Sequence, residues 1–294
     1  KGRDDLVMVN LTGRADGTSE VDYTVNPQAG LPYMTGPNIF PRPVNHVLPA
    51  WDLIAGQMAA MGLLAGERHR RITGRGQLVK LALKDIALAM VANLGILAEV
   101  TVNDIDRPRD GNYLYGAFGR DFGTLDGKQV MIVGLSKGQW SSLLKATGLG
   151  DQVAELEARL KLDFAKEGDR YRARREIARI FEPWFATRML AEVRTALDAA
   201  GVTWAPYRTM REMTEHDPDC SEANPLFESV SQPGIGRSLM PGSPLKFSEM
   251  ESLPVRRAPK LGEDTDEILL DILGLPEHEV GRLHDAGIVA GAGD

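Results

Sequence analysis

Between Thr73 and Ala98 the chain changes its hydrophobic period once, and that change requires a strand that runs directly into a helix. Val79, Leu81 and Leu83 alternate with Lys80, Ala82 and Lys84 at the two-residue period of a strand, behind the turn-forming Thr73-Gly74-Arg75-Gly76. Residues 86–98 are rich in helix formers and too long a run for a single strand. The strand is therefore expected to end near Lys84, leaving Asp85 at the N-cap of the helix. An N-cap carboxylate accepts hydrogen bonds from free backbone N–H groups at the positive end of the helix dipole, which favours its ionised form. Ligands of open α/β sheets bind at the carboxyl ends of strands, so Asp85 has two readings, an ordinary capping residue or a nucleophile.

The rest of the chain extends this α/β pattern. Residues 6–11 read as a buried strand and 13–20 as a loop. Trp51, Ile54, Met58, Met61 and Leu64 recur at three- and four-residue steps, giving one apolar helix stripe expected to pack on a sheet. The polar segment around Asn103 to Gly111 reads as a linker. A strand over 128–134 follows the Asp126-Gly127 turn, with helices expected over 139–146, 151–160 and 171–200, the last closed by Gly201. Residues 218–259 have loop-like Pro and Gly spacing, with short strands near 227–230 and 245–247, and two short helices follow over 264–274 and 276–287.

Composition excludes several classes of function. The 294 residues are 43% hydrophobic, enough for a sizeable core, and a formal net charge of -7 argues against nucleic-acid backbone binding. The longest apolar run, 86–98, is too short to span a bilayer. Cys220 is the only cysteine, which excludes an intrachain disulfide and fits a reducing, cytoplasmic compartment. Its acidic neighbours disfavour a thiolate, and the five histidines show no zinc-like spacing, so no metal site is expected. The basic run Arg68-His69-Arg70-Arg71 ends an apolar helix pattern and reads as a solvated, dipole-compensating terminus.

Residues 70–85, with Thr73-Gly74-Arg75-Gly76-Gln77, an apolar strand and Asp85 in this order, resemble the signature of class III coenzyme A transferases. Further matches follow in family order at Asn10-Leu11-Thr12-Gly13, Gln28-Ala29-Gly30, Met131-Ile132-Val133-Gly134 and Ala258-Pro259-Lys260-Leu261-Gly262. Residues 19–28, 45–52 and 111–122 are closer still to one branch, whose members move CoA between the two carboxyls of one methyl-branched C4 dicarboxylate. The resemblance implies the family fold, a Rossmann-like large domain (incomplete here) with a smaller α/β domain. It also implies large-domain residues 1–104, a linker at 105–112, the small domain at 113–212, a return connection at 213–258 and C-terminal helices at 259–294 docking on the large domain. Lys1 stands where an initiator Met is expected, and family members carry roughly another hundred residues upstream, the size of a half-domain.

The resemblance implies that Asp85 is the nucleophile, that the substrate is an acyl-CoA thioester of a dicarboxylic acid, and that two chains form an interlocked homodimer. No cofactor is implied beyond the CoA of the substrate. A carboxylate partner is expected among Arg107, Arg109 and Arg120, with Arg120 favoured because a guanidinium fork suits a carboxylate, and Tyr115 favoured over Tyr113 as a hydroxyl donor. Tyr23, expected with Tyr115 and Arg120 to bind the substrate, falls where racemases of the family carry a proton-transferring His. A phenol with a reference pKa near about 10 is poorly matched to α-proton exchange, so transfer is favoured over racemisation. Thr24 departs from the acidic residue common at that family position. The competing readings are an intermolecular transferase with a free dicarboxylate acceptor, and a catalytically silent truncated subunit.

Overall fold

The computed structural model describes residues 2–39 and 41–292, so Lys1 and residues 293–294, the outer ends of the expected domain ranges, lie outside it, as does Phe40. The chain is mixed α/β and divides into two compact units, residues 1–207 and 208–294.

The first unit opens with β1 (Val7–Thr12), α1 (Asp22–Gln28), α2 (Leu31–Met34), the long α3 (Ala50–Thr73) and β2 (Gln77–Ala82). β1 and β2 pair in parallel, with Asn10 opposite Lys80 and Thr12 opposite Ala82, which makes this segment a βαβ crossover. β1 is only half-buried, because among the described residues a helix packs on just one of its faces. That face receives α3 through glycine. A Cβ on Gly66 would lie 2.7 Å from a Val7 methyl, and one on Gly62 would lie 3.1 Å from a Val79 methyl. The expected large apolar stripe does not make this contact. Trp51 is buried and Ile54 and Met58 are partly so, but Met61 and Leu64 are exposed, because the helix approaches the sheet on its small-residue side.

The start of α3 is capped from a distance. Its N-cap, Pro49, offers no side-chain acceptor, and buried Asp22 of α1 supplies one, accepting from the backbone N–H of Trp51 (2.7 Å) and of Asp52 (3.4 Å). Asn26, one turn along α1, accepts from the Trp51 indole N–H at 3.3 Å and donates to Asn45 at 3.1 Å. Asp22→Ala is expected to destabilise the protein by about 1–2 kcal/mol, the range for a lost helix cap, with Asp22→Asn retaining much of that. Urea unfolding midpoints of the two variants would check this.

After β2 come α4 (Leu83–Asn93) and α5 (Ile96–Asn103). The single helix expected over 86–98 is broken at Gly95, whose φ of +77° is left-handed, and the two pieces are bent by 64°. Among the described residues no single helix is long and apolar enough to cross a membrane. Val25, Trp51, Ala55, Leu83, Ile86, Ala87 and Val91 form one apolar cluster.

A second cluster is built on the antiparallel sheet β3–β4–β5 (Phe118–Gly123, Gln129–Gly134 and Thr203–Pro206). It is covered by α6 (Lys137–Thr147), α7 (Gly150–Leu160), α8 (Glu167–Arg172), α9 (Arg174–Ala186) and α10 (Leu190–Ala199). The expected long helix over 171–200 is therefore three helices, and α9 ends just before Thr187 with Pro183 in its last turn. Phe118, Phe122, Trp140, Phe181 and Phe185 meet inside this cluster.

The second unit carries α11 (Met210–His216) and a hairpin of β6 (Phe227–Gln232) and β7 (Gly236–Pro241). Pro233-Gly234 makes its turn, with Gly234 at φ +74° and Ile235 N–H bonded to the Gln232 carbonyl. This turn pairs 236–241 with β6, so the strand expected at 245–247 is replaced. Helical segments at Thr265–Glu267, Ile268–Ile272 and Glu277–Asp285 complete the unit.

Candidate active site

Asp85 is not the N-cap of α4. The helix begins at Leu83 with Ala82 as its extended N-cap, so Asp85 is the third helical residue. Leu83, Ile86 and Ala87 are all buried, and their i, i+3, i+4 spacing makes Leu83 the first residue of the helical face rather than the last of the strand. Lys84 and Asp85 are thereby turned away from the core, and Asp85 is exposed within the first turn, where the helix dipole still favours a negative charge. The Lys84 N–H donates to the Gly13 carbonyl at 3.1 Å, which ties the start of α4 to the loop after β1.

That loop and the two strand ends form a cleft of about 260 Å³ lined by Asn10, Thr12, Asp16, Lys80, Ala82 and Asp85 among others. Gly13 is required at its rim, because a Cβ there would lie 2.1 Å from the backbone nitrogen of Glu20. Asp16 accepts from the Thr18 N–H at 2.9 Å, and this hydrogen bond holds its carboxyl below the usual range. Arg14 pairs with Glu20 at 3.4 Å. Gln28 donates to Glu20 at 3.3 Å and accepts from the Lys84 ammonium at 2.5 Å. A carboxylate at the mouth of a cleft built on strand ends is suitably placed to attack an acyl carbon.

The other expected site residues stand elsewhere. Tyr23 is exposed on α1 and does not line the cleft. Arg120 lines a different cleft of about 340 Å³ with Asp110, Tyr113 and Arg175, and donates to the Tyr113 hydroxyl and to Glu182, both at 3.0 Å. Tyr115 donates to Glu99, and its ring lies under Arg107, whose guanidinium carbon is 3.4 Å from the ring centroid. Arg107 also bonds Glu99 at 2.6 Å, so Tyr115 and Arg107 fasten the linker to α5. Arg109 donates to the Tyr33 carbonyl at 2.9 Å. Asn10, Asp16 and Lys80 were not expected in the site. The signal for two of them was the alternation itself, since Asn10 and Lys80 are the polar positions between Val9 and Leu11 and between Val79 and Leu81.

The Tyr115 hydroxyl, and then Arg107, hold the Glu99 carboxyl below the usual range. A depressed carboxyl pKa stabilises the fold above the unfolded value and loses that contribution as pH falls through the folded value. The stability difference between wild type and Glu99→Gln is therefore expected to be full at pH 6 and to shrink below about pH 4.5, the ordinary glutamate range. Thermal melts across pH 3–6 would measure it.

The CoA-transferase family III model matches residues 5–265. The chain belongs to CoA-transferase family III. It is 67% identical over 289 residues to 2-methylfumaryl-CoA isomerase of Chloroflexus aurantiacus, covering 98% of this chain and 71% of that one. Formyl-CoA:oxalate CoA-transferase of Rhodopseudomonas palustris is 29% identical, and there the chain spans 65% of the relative's length. Among solved structures, a CAIB/BAIF family protein of Brucella suis superposes with a TM-score of 0.70 at 20% identity, over 91% of this chain and 68% of that one. A Mycobacterium tuberculosis protein gives 0.69 at 21% identity, over 90% and 67%. These likenesses agree with the family III fold.

Proposed function

We propose that the protein moves CoA from one carboxyl of 2-methylfumaryl-CoA to the other, giving 3-methylfumaryl-CoA, with Asp85 as the nucleophile. The observation that carries this reading is the 67% identity to 2-methylfumaryl-CoA isomerase over 98% of the chain. A carboxylate oxygen of Asp85 attacks the thioester carbonyl, the C–S bond breaks, and CoA leaves as thiolate, giving an aspartyl anhydride. The thiolate then attacks the aspartyl carbonyl, releasing the dicarboxylate and leaving an aspartyl-CoA thioester. The other carboxylate of the same dicarboxylate attacks that thioester, the C–S bond breaks and CoA leaves again as thiolate, giving the second anhydride. Return of the thiolate to the acyl carbonyl completes the isomerisation and frees Asp85.

Retention of the free dicarboxylate between steps is what makes the transfer internal, and exclusion of water keeps the anhydrides from hydrolysis. On this reading the protein acts as an interlocked homodimer in a reducing cytoplasm, and needs no cofactor besides the CoA of its substrate.

The test is product analysis of 2-methylfumaryl-CoA incubated with the protein and isotopically labelled free 2-methylfumarate. Isomer formed without label supports internal transfer. Label in the product supports the intermolecular chemistry named for the formyl-CoA:oxalate relative. Absence of isomer would overturn the substrate assignment.

A further inference from the structure

A dicarboxylate that stays bound while CoA changes ends needs a cation in the cleft, and the arginine favoured on sequence lies in another one. The parallel register puts Asn10 beside Lys80 and Thr12 beside Ala82 on the face of the β1–β2 pair that α3 does not cover. These four residues and Asp85 line the same cleft. Of the cations around it, Arg14 is paired with Glu20 and Lys84 is bonded to Gln28. Lys80 makes no side-chain hydrogen bond or ion pair among the described residues, and it is the cationic group among those lining the cleft. Two carboxylates, Asp85 and Asp16, line it as well, and Asp16 is engaged by the turn of its own loop.

We propose, on the reading of the function given above, that Lys80 is the specificity-determining residue of the site, its ammonium holding the substrate carboxylate remote from the acyl carbon that Asp85 attacks. An ammonium is a point charge with three donors on a flexible stem, so it can follow a carboxylate that turns over between the first and second anhydride. The neighbouring Asn10 amide is an additional donor on the same face. The chemistry recognised is an acyl-CoA whose acyl chain ends in a second carboxylate.

The test compares acylation of Asp85 by two acyl-CoA esters of equal length, succinyl-CoA and butyryl-CoA, followed as release of the CoA thiol. The readout is the ratio of their kcat/KM values, a quantity that a general loss of folding or of CoA binding would leave in place. Lys80→Met is expected to lower the succinyl-to-butyryl ratio by about 10- to 100-fold, the range for one hydrogen bond to a charged group. Lys80→Arg, which keeps the charge, should recover most of the preference. A ratio that Lys80→Met does not move, with acylation intact, would overturn the role of Lys80 and leave the function standing. A wild-type ratio near one would overturn it too. Failure of the wild-type protein to release CoA from either ester while it isomerises 2-methylfumaryl-CoA would overturn this proposal and leave the function standing, and failure with 2-methylfumaryl-CoA as well would remove both.

Discussion

Asp85→Asn is expected to reduce CoA transfer by at least about 10³-fold, because a neutral amide is not a nucleophile towards a thioester and removing the group that carries a covalent step disables the whole sequence. The substitution is isosteric and its site is exposed in the first turn of α4, so the fold should persist. Lost interaction with the helix dipole accounts for about 0.3–1 kcal/mol at most. The measurement is isomer formed from 2-methylfumaryl-CoA by the two proteins, beside their thermal melts. Equal melting with turnover abolished would fix the chemistry on Asp85. Turnover that persists would move the nucleophile to the other carboxylate of the cleft, Asp16, since no further carboxylate lines it among the described residues.

The second large effect is on stability. Phe181 is fully buried, and its ring lies 5.8 Å from Phe118, 6.0 Å from Trp140 and 6.4 Å from Phe122. Truncation to Ala removes the buried ring and leaves a cavity that neighbouring aromatic rings cannot collapse into, for an expected cost of about 3–5 kcal/mol. The loss of edge and tilted ring contacts places the effect toward the upper part of that range. A protein of ordinary stability, about 5–15 kcal/mol, would lose a large fraction of its margin. Phe181→Leu keeps most of the volume and should cost less than half as much. Urea unfolding followed by tryptophan fluorescence, to which Trp140 and Trp184 of the same cluster contribute, would report both. An Ala variant with the wild-type midpoint would show that this cluster does not limit stability.

The places where periodicity and structure part company have physical causes. The alternation through Leu83 fits a strand as well as a helix, because a residue at the junction satisfies both periods. Burial of Leu83 with Ile86 and Ala87 decides for the helix and moves Asp85 from the cap into the first turn. Residues 86–98 carry helix formers throughout, yet Gly95 adopts a left-handed conformation that only glycine tolerates readily, and α4 and α5 separate there. In α3 the large apolar residues are the visible pattern. The sheet contact is instead made by Gly62 and Gly66, whose lack of side chains lets the helix come close, and a hydrophobicity pattern gives no weight to such residues.

The sequence by itself determined that a strand hands over to a helix within a few residues of Asp85, the α/β class and the family resemblance, because these rest on local period, turn residues and the order of short motifs along the chain. It also placed the strand over 128–134 to within one residue of β4. The tertiary structure decided which groups share the cleft with Asp85. Asn10 and Lys80 are 70 positions apart and meet only through the parallel register of β1 and β2, while Arg120, nearer to Asp85 in sequence than Asn10 is, is drawn to Tyr113 and Glu182. Pairing between distant strands depends on the crossover helix that joins them, and no local pattern of residue types encodes that register.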